Sequence, residues 1–419
     1  MKKVLIISFF FSDKSIIGAV RPNGLAKFLP EFGWEPVVLT VESETKSKHQ
    51  FTVIETPYVD LFANWKKRFR LNENKSVKEN LGLPTRHDFL IDFALDIWNE
   101  IFAFPDANIG WYKFAVSQAN ELLRENKFDA IISTSRPATT HLIAKDLKMK
   151  YGTPWIADFR DLWTQNHTYS FSPIRKLFER KLELETLSEA DLLTTVSKPL
   201  AENLRKVHKN KDIYVIPNGF DPDQMSTGNI LTKDFSITYT GSIYKRKQDP
   251  IPFFKALSGL ILEGSINEGD ISVNFYGDNI NWIENDIAKF GLHDIVKVNR
   301  LISRDKAIEK QKESQILLFL SWNDPQEKGI CTGKIFDYIS SQRPILSVGS
   351  SGGAIENLLR ITQSGTQANN SDEIIRTLTE SYREFKLDGK VNYRGVNSEI
   401  DKYNHREMAR KFAKILNNL

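Results

Sequence analysis

Short, almost wholly apolar runs recur along the chain, each followed by a segment whose apolar residues fall at helical spacing, and this alternation constrains the fold more than any other feature. Val4 to Phe11 is apolar apart from Ser8. That is the pattern of a parallel strand covered on both faces, since a half-exposed strand alternates with a period of two. Leu25, Phe28, Leu29 and Phe32 then keep helical spacing, Gly33 stops the helix, and Pro36 to Thr40 reads as the next strand. The rhythm resumes after residue 110: a helix over 111–126, a strand over 128–135, a helix over 141–150 and a strand over 154–158, with short strands over 191–196 and 213–216. A second series runs through 235–240, 271–276, 295–298, 315–320 and 344–348. Strands this short, separated by helices, build doubly wound parallel sheets.

At 419 residues the chain is longer than one hydrophobic core usually serves. The turn-forming Pro217-Asn218-Gly219 divides the two series. The expected organisation is therefore an N-terminal Rossmann-like domain over 1–216, a C-terminal one over 217–395, and a final segment, 396–419, whose amphipathic helix packs back on the N-terminal domain. Between about 42 and 105 the alternation fails, and a helical insertion is expected. Within it Leu61, Phe62, Trp65 and Phe69 surround Lys66-Lys67-Arg68 and Arg70, and the stretch 89–102 is rich in Phe, Ile, Leu and Trp. A basic amphipathic segment at 61–71 suits an anionic membrane surface, and equally a solvated helix packed over the sheet.

Composition narrows the classes. A formal charge of +4 is too small for wholesale nucleic-acid binding, so no nucleic-acid partner is expected. The single cysteine, Cys331, excludes an internal disulfide framework and disfavours a cysteine metal site, which points to a reducing, cytoplasmic setting. The start, Met1-Lys2-Lys3 followed by a short apolar run, lacks the small-residue cleavage site of a signal peptide. No window reaches the roughly 20 apolar residues that cross a bilayer, so membrane contact is expected to be peripheral.

In open α/β sheets ligands bind beyond the carboxyl ends of the strands. The run 235–240 ends in Gly241-Ser242, with Lys245, Arg246 and Lys247 close behind. A tight glycine turn beside cations suits a diphosphate, and also a plain solvated turn. Further on, Gly329-Ile330-Cys331-Thr332-Gly333 opens a helix that carries Lys334 and Asp337, and the strand at 344–348 ends in Gly349-Ser350-Ser351-Gly352-Gly353. Free N–H groups at a glycine-flanked helix start favour phosphate, and Asp337, one turn on, suits ribose hydroxyls. In the first half, Gly18 and Arg21 follow the first strand, and Asp158, Arg160 and Asp161 follow the strand at 154–158, where an Asp–Arg pair that orders the loop is the competing reading.

Taken together, GLAKFLPEFGWEPVVLT (24–40), IPNGFD (216–221), YTGS (239–242) and TGKIFDYISSQRPIL (332–346) resemble the family 4 glycosyltransferases of the GT-B fold, in order and across almost the whole chain. Trp155 to Trp163 (WIADFRDLW) is similar to a subgroup that assembles cell-surface polysaccharide or lipid-linked oligosaccharide. The resemblance implies an α/β protein with two doubly wound domains facing a central cleft. It implies a retaining hexosyl transfer from a nucleotide-sugar, UDP- or GDP-linked, to a saccharide or lipid-linked acceptor, with no metal and no cofactor beyond the donor itself. On this resemblance Gly18, Gly241, Ser242, Lys245, Arg246, Lys247, Leu301, Ile302, Gly329, Ile330, Cys331, Thr332, Gly333, Lys334 and Asp337 hold the donor. Lys247, Asp158 and Asp161 are the catalytic candidates, and Arg21, Arg160 and Asp158 serve the acceptor side. The chain departs from the family at Ser242, where many relatives carry arginine, at Asp337, usually glutamate, and at Gly329, commonly a glutamate that touches the donor sugar; Glu327, Lys328 or the main-chain amides of Ile330 to Gly333 are the expected compensation for the last. Two readings of the same fold stay open: a nucleotide-sugar epimerase and a non-catalytic nucleotide binder. An NAD-dependent dehydrogenase is disfavoured, because no G-x-G-x-x-G follows the first strand.

Overall fold

A computed structural model of the chain describes residues 1–13, 16–44, 48–68, 100–166, 169–225, 230–322 and 333–419. They form two compact units, Met1–Ile216 with Ala409–Leu419, and Pro217–Met408.

The first unit is built on strands β1 (Lys2–Ile7), β2 (Trp34–Val41), β3 (Thr52–Thr56), β4 (Ala130–Ser135), β5 (Trp155–Phe159), β6 (Leu192–Thr195) and β7 (Ile213–Val215), in the order β3-β2-β1-β4-β5-β6-β7. Every neighbouring pair is parallel, with Val4 of β1 opposite Pro36 on one side and Ala130 on the other. Helices α1 (Ile17–Phe28), α2 (Leu61–Arg68), α3 (Tyr112–Glu125), α4 (Thr139–Tyr151), α5 (Pro173–Leu187) and α6 (Lys198–Val207) accompany them. The region expected to be a helical insertion contains β3, which extends the sheet beyond β2. Its sequence, TVIET, has only two apolar residues and so lacks the long apolar run that marks the buried strands. Most of the stretch 89–102 lies outside the described residues.

The second unit carries β8 (Phe235–Thr240), β9 (Ile271–Tyr276), β10 (Val296–Asn299), β11 (Ile316–Leu320), β12 (Ile345–Val348) and β13 (Gly365–Ala368), again all parallel, in the order β10-β9-β8-β11-β12-β13. Its helices are α7 (Ile251–Leu262), α8 (Glu284–Lys289), α9 (Arg304–Glu313), α10 (Gly333–Ser340), α11 (Ala354–Thr362), α12 (Ser371–Asp388) and α13 (Asn397–Ile400), followed by α14 (His405–Leu416). The strand β13 escapes a search for apolar runs because GTQA is short and polar; Gly365 sits there because a β-carbon would meet the Ile345 carbonyl at 2.1 Å.

In each sheet the chain builds outward on one side, then returns to the other side of the founding strand. That gives a switch point between β1 and β4 in the first unit and between β8 and β11 in the second.

The last helix begins in the second unit and from Ala409 onward belongs to the first, where Ala409, Phe412, Ala413 and Leu416 are buried. The Phe412 ring lies 5.4 Å from the Arg21 guanidinium, and Asn417 accepts from the Trp34 indole at 3.2 Å. Phe412→Ala should cost about 3–5 kcal/mol, the usual cost of deleting a buried aromatic ring. Hydrogen exchange should locate the loss in residues 1–216, and a loss confined to the second unit would refute the assignment of this helix.

Candidate functional site

At the carboxyl end of β8, Gly241 turns the chain with φ of 100°, in the left-handed region that favours glycine. The turn is crowded. Its N–H donates to the Tyr276 carbonyl at 2.7 Å, and a β-carbon on Gly277 would lie 2.5 Å from the Gly241 carbonyl, so both glycines are required for β8 and β9 to end side by side. A β-carbon on Gly241 itself would meet the Lys334 side chain, 2.9 Å from Cε and 3.0 Å from Nζ.

Lys334 lies in the first turn of α10 and reaches back to this glycine. Its ammonium donates to the Tyr239 hydroxyl at 2.7 Å and lies 4.1 Å from the centre of that ring, while Tyr239 donates onward to the Ser242 carbonyl at 2.9 Å. No carboxylate among the described residues pairs with it. Burial alone pulls the Lys334 ammonium down from 10.5 to about 7, so the site holds a half-buried cation that no anion among the described residues balances.

One turn along α10, Asp337 is buried and bonded to Arg304 at the start of α9, with Nη2 to Oδ1 at 2.5 Å and Nε to Oδ2 at 3.4 Å. Burial raises the Asp337 carboxyl above its usual range, and Arg304 pulls it back. Arg304 and Tyr239 were not singled out in the sequence, although Arg304 follows closely on the assigned Leu301 and Ile302. Of these two, Leu301 is exposed and Ile302 half-buried.

The basic run after Gly241 has more structure than a solvated turn. Lys247 Nζ lies 5.0 Å from the Trp322 ring, which stacks on Tyr244 at 5.1 Å, and Lys245 Nζ lies 5.5 Å from the Trp282 ring. Gln248 ties the segment to β11 by donating to the Leu320 carbonyl at 2.6 Å and accepting from the Tyr244 N–H. Arg246 and Ser242 are exposed, Arg246 with φ of 71°. Gly241, Lys334, Lys247 and Trp322 are thus gathered at the β8/β11 switch point. Gly333 begins α10, whereas Gly329, Ile330, Cys331 and Thr332 lie outside the described residues, as do Glu327 and Lys328. In the run 349–353 the Gly352 N–H is already taken by the Glu356 carboxylate.

In the first unit the charged residues are arranged differently. Asp158 at the end of β5 is enclosed: Arg21 grips it with Nε at 3.0 Å and Nη2 at 2.9 Å, and Thr134 and Thr194 donate at 2.9 and 2.7 Å. Burial pushes the Asp158 carboxyl up, but Arg21 and the two hydroxyls outweigh it and hold the group below the usual carboxylate range. Both partners are buried, and the pair orders the switch point. Arg160 donates to the carbonyls of Ser135 and Arg136, each at 2.7 Å, and to that of Gly18, clasping the loops after β1 and β4; burial lowers it to about 10. Asp161 is exposed. Beneath them His141 shares a 2.7 Å hydrogen bond with Ser133 and lies 4.6 Å from the Phe159 ring, and burial drags it to about 3, so it is neutral.

Residues 85–224 match the family model described as Glycosyltransferase Family 4. Over its full length the fold is that of GT-B proteins. A glycosyltransferase from Rickettsia africae is matched with a TM-score of 0.61 at 15% identity, over 100% of this chain and 98% of that one. Sucrose-phosphate synthase from Thermosynechococcus elongatus gives 0.63 at 12%, over 100% and 99%. HepE from Anabaena, in complex with UDP and glucose, gives 0.62 at 11%, over 100% of both chains. At such identities the likeness is one of fold. No sequence relative among curated proteins is matched.

The enclosure of Asp158 makes a clear demand on stability. Arg21→Met should cost about 3–5 kcal/mol in urea unfolding, because it strands a buried carboxylate. Asp158 titrates below its unfolded value, so the pair's contribution is present above about pH 4 and fades as acid protonates the group. The gap between wild type and variant should therefore close toward low pH, and a gap independent of pH would refute the account.

Proposed function

We propose that this protein is a retaining glycosyltransferase that moves a sugar from a UDP- or GDP-sugar to a saccharide or lipid-linked acceptor in cell-surface polysaccharide assembly. The observation that carries the reading is the Lys334 ammonium, half-buried against the Gly241 turn with no anion among the described residues to balance it. A desolvated cation beside a glycine turn at a switch point is suited to the charge that builds on a departing diphosphate, where preorganised donors act in low dielectric without reorganising. The complex of HepE with UDP and glucose supports a UDP donor here.

In this reading the bond between the anomeric carbon and the diphosphate oxygen breaks, and both electrons leave with the phosphate. The acceptor hydroxyl forms the new bond on the same face, and its proton passes to the leaving phosphate. Lys334 and Lys247 meet the phosphate charge, the Gly241 turn admits it closely, and no metal ion takes part. Asp337 turns from Arg304 to the ribose. The exposed Asp161 attends the acceptor, held at the edge of the loops that Arg160 clasps. Contact with an anionic membrane at the cytoplasmic face, through the exposed Lys67 and Arg68 of α2, belongs to the same reading.

Lys334→Met should lower kcat/KM by roughly a hundred- to a thousandfold, the loss expected when one preorganised charge donor is removed. The variant should fold at least as well as the parent at pH 7. An unfolded lysine keeps its proton to about 10.5, so burying Lys334 costs stability that is recovered only as pH rises from about 7. Binding of a nucleoside diphosphate at pH 8 should take up a proton in the parent and none in the variant, read by calorimetry in buffers of different ionisation enthalpy. Unaltered turnover in a folded Lys334→Met protein would reject the reading.

A further inference from the structure

The helix α5 is turned inside out. Its buried face is polar: Arg175 donates to Glu179 at 2.6 Å, Glu179 accepts from the Trp163 indole at 3.1 Å, and Glu183 accepts from Thr164, Gln165 and His208. Its outer face is apolar, with Ile174, Leu177, Phe178 and Leu184 exposed by 69, 72, 64 and 42%. Spacings of three, four and seven residues (174 to 177, 174 to 178 and 177 to 184) put them in one stripe along the helix. Such a stripe in water is the reverse of what packing on a domain produces, and an exposed apolar patch of this kind marks a surface that something covers.

The patch continues beyond the helix. Arg175 donates to the carbonyls of Glu100 at 3.0 Å and Ala103 at 2.6 Å, and Glu100 accepts from the Ser172 N–H and hydroxyl at the helix start. These bonds strap residues 100–103 to the first turn of α5, and there Ile101 and Phe102 are exposed by 61 and 57%. The exposed cation Lys181 sits among the apolar side chains on the same outer face, within 3.8 Å of Glu185, and the exposed Lys176 lies to the side of the stripe with its ammonium 5.3 Å from the Tyr169 ring. Aliphatic and aromatic side chains at the centre with lysines beside them are complementary to an anionic bilayer, whose acyl boundary takes the first and whose headgroups attract the second. By contrast Leu61, Phe62 and Trp65 of α2 are each partly buried, with the Phe62 and Trp65 rings stacked at 5.8 Å, and Lys66 is buried.

We infer that the outer face of α5, together with Ile101 and Phe102, is the apolar anchor by which this protein docks on an anionic lipid surface. The inference deepens the membrane part of the reading above and rests on that part alone. It does not involve the donor site.

Sedimentation with vesicles of phosphatidylcholine and phosphatidylglycerol tests it. The parent should bind, and the double substitution Leu177→Glu with Phe178→Glu should weaken partitioning by about tenfold or more, as expected when two buried apolar side chains are lost from the boundary. Nucleoside diphosphate affinity and melting temperature should stay unchanged. Lys67→Glu with Arg68→Glu tests the α2 contact separately: a parent that binds through α2 while the α5 variant is unimpaired overturns this inference and leaves the membrane reading standing. A parent that ignores the vesicles at low salt overturns both. Stabilisation or destabilisation of the α5 variant by several degrees without lipid would show that the chain itself covers the stripe, and a dimer in light scattering that the variant dissolves would show that a second copy does. Either result overturns the lipid assignment.

Discussion

A charge taken out of water must be met by another charge, and how each unit handles that cost separates its architecture from its chemistry. At the β1/β4 switch point Asp158 and Arg21 are both almost fully buried, and each meets the other in two hydrogen bonds. At the β8/β11 switch point the half-buried Lys334 has, among the described residues, a tyrosine hydroxyl and ring for company. The first arrangement is closed and serves order, because breaking a buried pair strands its partner. The second is open, since a cation desolvated without an anion is worth most when an anion arrives. The sheets have the same topology at both points; the residues on the next helix and strand decide the difference.

The same contrast accounts for Asp337. Its carboxylate is not waiting in solvent, as a ribose ligand would be, but is bonded to Arg304 across the helices α9 and α10. Two groups of opposite charge, one turn apart on α10, therefore stand in different states: Lys334 lacks an anion, and Asp337 already has its cation. A nucleotide bringing phosphate to the first and hydroxyls to the second would leave Arg304 to find another acceptor. The loss of one charge-assisted bond thus accompanies the gain of another, and discrimination between donors follows from how well the incoming hydroxyls replace a guanidinium.

The apolar runs of β1, β4, β8 and β11 were legible because a parallel strand with helices on both sides has to be hydrophobic throughout. From them came the two α/β sheets, the division near Pro217 and the loop in which Gly241 and Lys247 lie. The edge strands β3 and β13 were illegible for the complementary reason: an edge needs no continuous run, and GTQA carries none. Residue types at the site were readable while their partners were not. Asp158 and Arg160 stood correctly at the end of a strand and Arg21 lies within α1, yet nothing local tells an ion pair sealed by Thr134 and Thr194 from a charged group facing a ligand. Those threonines belong to β4 and β6, brought alongside β5 only by the sheet register.

The helix α5 gives the sharpest case of this limit. Its sequence, PIRKLFERKLELETL, has an apolar stripe at helical spacing, and by periodicity alone that stripe would be assigned to the core. Periodicity identifies two faces but not which one turns inward. Here the decision falls to Arg175, Glu179 and Glu183, whose partners Trp163, Thr164 and His208 are buried polar groups that would cost more unsatisfied than the stripe costs exposed. Once that network holds the polar face inward, the apolar face has no choice but to point away from the domain. What the helix gives up in burial within its own unit then becomes available to whatever surface it meets.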